Sequence, residues 1–290
     1  MGQQVDRGRL AIIAGSGKLP LYVAEAARDK GENPFIFVLK DEPAVDWSGF
    51  DHIKIGIGEI SHFKQQADRL GVDRIIMSGG VSRRPPLSEM RLGMGSLFKI
   101  PRMIRLLAGG GDNAVLTAVI ALLENGRRRV ISVQDVAPSL LAEIGPVGKI
   151  APSDVDARDI AMAVKAARLI GSLDIGQGAV AVGGRVVALE GPEGTDAMLA
   201  RVADLKAAGR ISASRRGVLV KLCKLQQDVR VDLPSAGLAT IRNAEAAGLA
   251  GVALEAGRSL LLDADQVRAF ADSRGMFIIG INPETIGGGI

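Results

Sequence analysis

Leu10-Ala11-Ile12-Ile13-Ala14-Gly15-Ser16-Gly17-Lys18-Leu19-Pro20 is an apolar run one strand long, closed by a glycine turn and followed by a proline in a first helical turn. Residues 19–30 then carry apolar side chains at helical spacing and stop at Gly31. A strand, a turn and a helix in immediate succession are the opening of a parallel-sheet unit, and the pattern repeats downstream. Residues 35–39, 53–57, 74–77 and 130–133 are predicted strands; residues 61–70, 97–107 and 113–125 are predicted helices. A Rossmann-like sheet is the simplest topology that this alternation allows.

The alternation resumes after residues 144–154, where glycine and proline are dense enough to mark a boundary. We therefore expect two α/β domains, residues 1–147 and 148–290, the first Rossmann-like, with a cleft between them. Ser153 is positioned to cap a helix over residues 160–170. Gly183-Gly184, between apolar runs at 179–182 and 186–189, predicts a two-residue hairpin. Strands at 218–222, 252–254 and 277–281 alternate with helices at 196–208, 238–247 and 264–274.

Composition narrows the function. Aromatic residues are only 3% of the 290 residues, so stacking platforms for nucleic-acid bases are not expected. A single cysteine excludes an internal disulfide, and with two histidines it cannot form the usual zinc site. A metal would need carboxylate oxygens, which suit Mg²⁺ or Mn²⁺. The longest apolar stretch, residues 114–123, falls short of the roughly 20 residues of a bilayer span. A net charge of +4 and a pI near 9.4 favour anionic partners.

Several segments carry groups that chemistry could use. Gly15, Ser16, Gly17 and Lys18 stand where a strand's end and a helix's start can receive a phosphate, although Pro20 occupies the place of the third glycine of a dinucleotide loop; a plain tight turn is the alternative. Ser78, Gly79 and Gly80, followed by Val81-Ser82-Arg83-Arg84-Pro85, could likewise frame an anion or form a solvated loop. Asp112, after three glycines, caps a helix or offers an oxygen to a ligand. Residues 87–107 mix methionines and leucines with four basic residues, as a core-facing helix or one touching a lipid surface would. His52 and His62 lack the neighbours of a catalytic base.

Lys221-Leu222-Cys223-Lys224-Leu225-Gln226-Gln227-Asp228-Val229-Arg230-Val231-Asp232-Leu233-Pro234 is the densest polar cluster beyond a strand. Extended geometry would put Asp228, Arg230 and Asp232 on one face, two carboxylates and a guanidinium that could hold a divalent ion and a phosphate, or simply form salt bridges. Glu190-Gly191-Pro192-Glu193-Gly194-Thr195-Asp196 adds acids and a hydroxyl at a helix start, where Thr195 or Asp196 could serve as an N-cap.

Along most of its length the chain resembles the LpxI-type UDP-2,3-diacylglucosamine diphosphatases of lipid A biosynthesis. The motifs are GSGKLP, GGVSRRP, GGGDNAVL, Leu173-Asp174-Ile175-Gly176-Gln177, EGPEGTDAML, KLCKLQQDVRVDLP and Ala247-Gly248-Leu249 with Leu254-Glu255-Ala256-Gly257. Asn113 departs from the pattern, where a second aspartate is expected. The resemblance implies Mg²⁺- or Mn²⁺-assisted attack of water on the pyrophosphate, at the phosphorus nearer the sugar, releasing UMP and 2,3-diacylglucosamine 1-phosphate. It assigns the essential acid and a metal ligand to Asp228, with Asp232 as a second ligand from geometry. Phosphate contacts fall to Lys221, Lys224 and Gln227, and substrate framing to Thr195 and Asp196; substrate binding by Arg230 rests on geometry. It further implies a homodimer in the cytoplasm, working peripherally at the inner-membrane surface on a lipid-linked nucleotide sugar, without nucleic acid as a partner. The rival readings are an NAD(P)-dependent oxidoreductase, from the first glycine loop, and a basic nucleotide- or nucleic-acid-binding module, from the charge.

Overall fold

A computed structural model describes residues 8–81, 112–224 and 228–286, apart from the side chains of 112–115. The predicted helix at 97–107, the GGVSRRP loop beyond Val81, the glycines before Asp112, and Gln227 lie outside the described residues.

Contacts divide the chain into two units. The first comprises Met1–Ser139 together with Asp228–Asp232; the second comprises Leu140–Gln227 and Leu233–Ile290. The expected boundary at 147/148 and this division differ in two respects: residues 140–147 go with the second unit, and a short segment from the later sequence goes with the first.

In the first unit, β1 (Arg9–Ala14), β2 (Phe35–Leu39), β3 (His52–Ile55), β4 (Val72–Ser78) and β5 (Arg129–Val130) form one parallel sheet in the order β3-β2-β1-β4-β5. Every residue of β2 is buried, as expected of a strand covered on both faces. Phe37 and Phe63, the latter on α2 (Ile60–Arg69), are 4.7 Å apart between ring centroids and anchor the core with Ile75, Ile120 and Leu123. Burying each phenylalanine contributes about 2–3 kcal/mol. The remaining helices are α1 (Leu19–Asp29), α3 (Asp112–Leu123) and the single turn α4 (Val133–Val136). The predicted strand at 130–133 is cut short because Ser132 begins α4: its hydroxyl accepts from the Gln134 amide, and Asp135 accepts from the Ser132 amide. This capping box offers the backbone a local alternative to the ladder.

The second unit holds a six-stranded sheet in the order β6 (Gly145–Pro146), β13 (Phe277–Ile281), β11 (Gly251–Glu255), β9 (Gly217–Lys221), β7 (Gly178–Val182) and β8 (Arg185–Leu189). Strands β13, β11 and β9 are parallel, whereas β7 runs antiparallel to both β9 and β8. The β7–β8 hairpin turns at Gly183 and Gly184, with φ of 61° and 81°, the pair of left-handed residues that a two-residue turn of this twist requires. Ser153 caps α5 (Asp154–Ser172) in a second capping box with Asp156, as its position suggested. Separate apolar clusters cover the two faces of the sheet, one including Leu219 and Met198 of α6 (Gly194–Ala207), the other Val220 and Ile160 of α5. Strands β10 (Ser235–Ala236) and β12 (Leu260–Leu261) pair in parallel beside α7 (Leu238–Ala246) and α8 (Ala264–Ser273).

Candidate functional site

At the carboxyl ends of β1 and β4, where the order of the parallel sheet reverses, two loops clasp each other. The Gly15 amide donates to the Ser78 carbonyl (2.8 Å) and the Ser16 amide to the Gly80 carbonyl (2.8 Å), while the Gly80 amide returns a bond to the Ser16 carbonyl (3.1 Å). The approach is so close that a Cβ on Gly15 would fall 2.2 Å from the Gly80 oxygen, and one on Gly79 would fall 2.5 Å from the Ser16 oxygen. This explains both glycines by packing. The reversal point is the position at which open parallel sheets bind ligands. Yet two of the amides that a phosphate would use, those of Gly15 and Ser16, donate within the clasp; Gly17 and Lys18 project beyond it.

The second group of sequence-selected residues departs from the expected geometry. Residues 228–232 form a turn and not an extended strand. The Asp228 carbonyl accepts from the amides of Val231 (3.0 Å) and Asp232 (3.2 Å), and its side chain accepts from the Arg230 amide (3.1 Å). A turning backbone removes the alternation that would have aligned Asp228, Arg230 and Asp232 on one face. Instead the Arg230 guanidinium folds back on Asp228, with Nε 2.9 Å from Oδ1 and Nη2 2.6 Å from Oδ2, and its Nη1 reaches Glu124 at 3.2 Å. This forked hydrogen bonding holds the Asp228 carboxyl below the usual carboxylate range, against the opposing effect of partial burial. Val231 packs on the core of the first unit and Ser132 donates to the Val229 carbonyl (3.4 Å), so the turn is anchored on both sides of Arg230. Arg230 also lines a cavity of about 710 Å³ with Lys30, Arg74 and Arg129. Arg74 is tied to Glu32 and Asp73.

In the second unit the carboxyl end of β9 gathers a third set. Lys221 is buried and its Nζ donates to the Ser235 carbonyl at 2.8 Å. Thr195 donates its hydroxyl to Glu190 (3.0 Å), and Asp196 accepts from Asn243 (2.9 Å); neither caps α6, whose N-cap position is Glu193. The helix begins at Gly194, before both side chains come into position to cap it. Lys224 pairs with Asp174 of the LDIGQ segment at 2.8 Å, and the Cys223 amide donates to the buried Glu255 carboxylate at 2.8 Å.

The structure thus joins Asp228 with Arg230 in the first unit, Gly15–Ser16 with Gly79–Gly80 in the same unit, and Thr195 with the end of β8 in the second. Lys221 and Lys224 belong to the second unit. The sequence reading did not single out Glu124, inside the predicted helix at 113–125, and named Glu190 only as one acid of the segment 190–196. The signal for Glu190 is its place directly after β8, facing two glycines, Gly176 and Gly178, whose Cβ atoms would fall within 2.1 Å and 2.4 Å of Glu190 atoms.

For a metal, no group of three histidine, cysteine, aspartate or glutamate side chains converges among the described residues. Mg²⁺ commonly takes only one or two carboxylates, completing its shell with water and phosphate oxygens. Asp228 is a carboxylate held ionised in a turn, with both oxygens accepting from the Arg230 guanidinium, so a metal there would share it with Arg230.

Residues 9–140 match the LpxI N-terminal domain and residues 143–279 the LpxI C-terminal domain. A curated relative from Caulobacter vibrioides (strain ATCC 19089 / CIP 103742 / CB 15), the UDP-2,3-diacylglucosamine pyrophosphatase LpxI, is 40% identical over 280 residues, covering 95% of this chain and 98% of the relative. Among solved structures, isoflavone reductase aligns with 95% of this chain and 78% of its own at 12% identity, with a TM-score of 0.28, too low to bear on fold or function. With both domains matched in order and the relative aligned almost end to end, the chain belongs to the LpxI family.

Proposed function

We propose that this protein hydrolyses the pyrophosphate of UDP-2,3-diacylglucosamine in lipid A biosynthesis, yielding UMP and 2,3-diacylglucosamine 1-phosphate. The observation that carries this reading is the 40% identity to a relative named for that substrate, across nearly the full length of both chains.

In this reading Asp228 is the essential acid. Its carboxylate, kept ionised by Arg230, accepts a proton from water as the water oxygen bonds to phosphorus and the P–O anhydride bond breaks. Attack is at the phosphorus nearer the sugar, so UMP departs as the leaving group. Arg230 has two roles: it keeps Asp228 anionic in the resting enzyme, and it supplies positive charge at the edge of the cavity. The family resemblance assigns phosphate contacts to Lys221, Lys224 and Gln227 and substrate framing to Thr195 and Asp196. Asp228 would hold Mg²⁺ or Mn²⁺, which would supply Lewis-acid polarisation of the phosphate; the turn leaves Asp232 without the shared face on which its part as a second ligand was expected.

The net charge of +4 supports work at an anionic membrane surface, the cytoplasmic face of the inner membrane, where a diacylated substrate resides. No helix among the described residues is long and apolar enough to cross that membrane. A homodimer is part of the proposal on family grounds.

The test is an assay of the purified protein with UDP-2,3-diacylglucosamine, with and without Mg²⁺ or Mn²⁺, read by mass spectrometry. Divalent-dependent release of UMP and the lipid monophosphate is the expected result, and run in ¹⁸O-water it places the label in the lipid product. Absence of UMP with every divalent ion tried overturns the reading.

A further inference from the structure

Glu190 is 7% exposed and directly follows β8. One carboxylate oxygen accepts the Thr195 hydroxyl at 3.0 Å, while Oε2, fully buried, has no hydrogen-bond partner among the described residues. A buried carboxylate oxygen without a donor keeps its full desolvation cost, so the fold retains an acceptor there against its own stability.

The surroundings indicate what would satisfy it. Gly178 lies directly across from Lys221 in the β7–β9 ladder, so the two positions share a face of the sheet. A Cβ on Gly178 would fall 2.4 Å from Glu190 Oε2, which places the carboxylate over Gly178 on the face that carries Lys221. Thr195, at the start of α6, holds the other oxygen, and Gly176 and Gly178 carry no side chains where Glu190 itself packs, with Met198 beside Gly178. A second anion at Oε2 itself, as distinct from a phosphate at Lys221, would be repelled by Glu190, and a divalent cation would look for further carboxylates, which do not converge among the described residues. A neutral O–H or N–H donor meets neither objection. Carboxylates are a recurrent acceptor for ribose hydroxyls.

We propose that Glu190 accepts a hydrogen bond from a neutral donor in the nucleotide half of the substrate, a ribose hydroxyl or the imide N–H of the base, and so selects the nucleotide. This deepens the function proposed above and rests on it. Glu190→Gln keeps the shape and an acceptor for Thr195 but turns an N–H₂ toward the ligand's donor. Gly178→Ala reaches the same end differently, displacing the carboxylate without changing its charge.

The experiment is isothermal titration of the full-length protein and both variants with UDP, 2′,3′-dideoxy-UDP and 3-methyl-UDP, with melting temperatures recorded alongside. The wild type is expected to prefer UDP over one analogue by about 10- to 100-fold, the range of a hydrogen bond to a charged group. Loss of preference against the dideoxy compound assigns the donor to ribose, and against the methyl compound to the base. In either case the variants bind UDP and that analogue alike. A uniform weakening of all three ligands, an unchanged preference, or unfolding of both variants marks Glu190 as structural and overturns the proposal. Failure of the wild type to bind UDP also overturns it, while the hydrolytic reading stands or falls separately on UMP release from the lipid substrate.

Discussion

The guanidinium of Arg230 reaches back two residues to clasp both oxygens of Asp228, at 2.6 Å from Oδ2 and 2.9 Å from Oδ1, while its other nitrogen touches Glu124 at 3.2 Å. Asp228 is 21% and Arg230 40% exposed in their side chains, so solvent screens the pair and its contribution to stability is no more than about 1 kcal/mol. Its consequence is chemical: an aspartate held ionised and oriented by a turn.

Asp228→Ala is therefore expected to separate activity from folding. Hydrolysis should fall by about 10²- to 10⁴-fold, the range of a lost general base. The midpoint of thermal unfolding should drop by only a few degrees, as the small worth of a screened ion pair implies. Parallel kinetics and calorimetry check this; a variant that fails to fold would make Asp228 a structural residue.

Removing the guanidinium alone should move a pH profile. Because hydrogen bonding from Arg230 is the main cause of the lowered Asp228 pKa, Arg230→Gln lets that pKa rise toward the ordinary aspartate value. The acid limb of kcat/KM then shifts to higher pH, and the variant loses relatively more activity as pH falls. Measuring kcat/KM from about pH 4 to 8, around the ordinary aspartate range, tests the sign; an unshifted limb means that another group controls it.

The clasp between the β1 and β4 loops predicts a contrast between glycines of the same left-handed conformation. Gly79 has φ of 88° and no room for a Cβ, whereas Gly17 has φ of 86° with nothing within 4 Å. Gly17→Ala should cost about 1–2 kcal/mol of backbone strain. Gly79→Ala should cost clearly more, since overpacking against backbone adds a further ~1–3 kcal/mol. Urea titrations of the two variants give the comparison, and equal losses would refute the clasp.

Asp159 is fully buried on α5 and accepts from the amides of Gly183 (2.9 Å) and Gly184 (2.5 Å), so it fastens the β7–β8 turn to the helix. Asp159→Ala should destabilise the protein by about 2–4 kcal/mol, and Asp159→Asn by less, because the amide keeps one acceptor. Chemical denaturation tests both; a loss below 0.5 kcal/mol for the alanine variant, roughly the least a net hydrogen bond contributes, would show the contact to be idle.

Much of this molecule was legible before its structure. Runs such as Phe35-Ile36-Phe37-Val38-Leu39 announce buried strands because a strand covered on both faces has no polar alternation. Gly183-Gly184 announces a hairpin because only glycine takes two successive left-handed residues without strain. Ser153 with Asp156 announces a helix start because the orphan amides of a first turn need local acceptors. Each is a contact between residues near in sequence, and the physics of neighbours suffices to read it.

Tertiary structure decided the rest. The extended reading of residues 228–232 failed because the Asp228 carbonyl and carboxylate find amides within their own turn, an option that alternating composition does not reveal. The residues that complete the candidate sites are distant in sequence: Glu124 reaches Arg230, Asp174 pairs with Lys224, and Gly79 is required by a serine carbonyl 63 positions earlier, at residue 16. Hydrophobic periodicity tells which face of an element is buried. It does not tell which polar group another element will bring to that face, because that depends on strand order and register, which are settled only when the whole sheet packs.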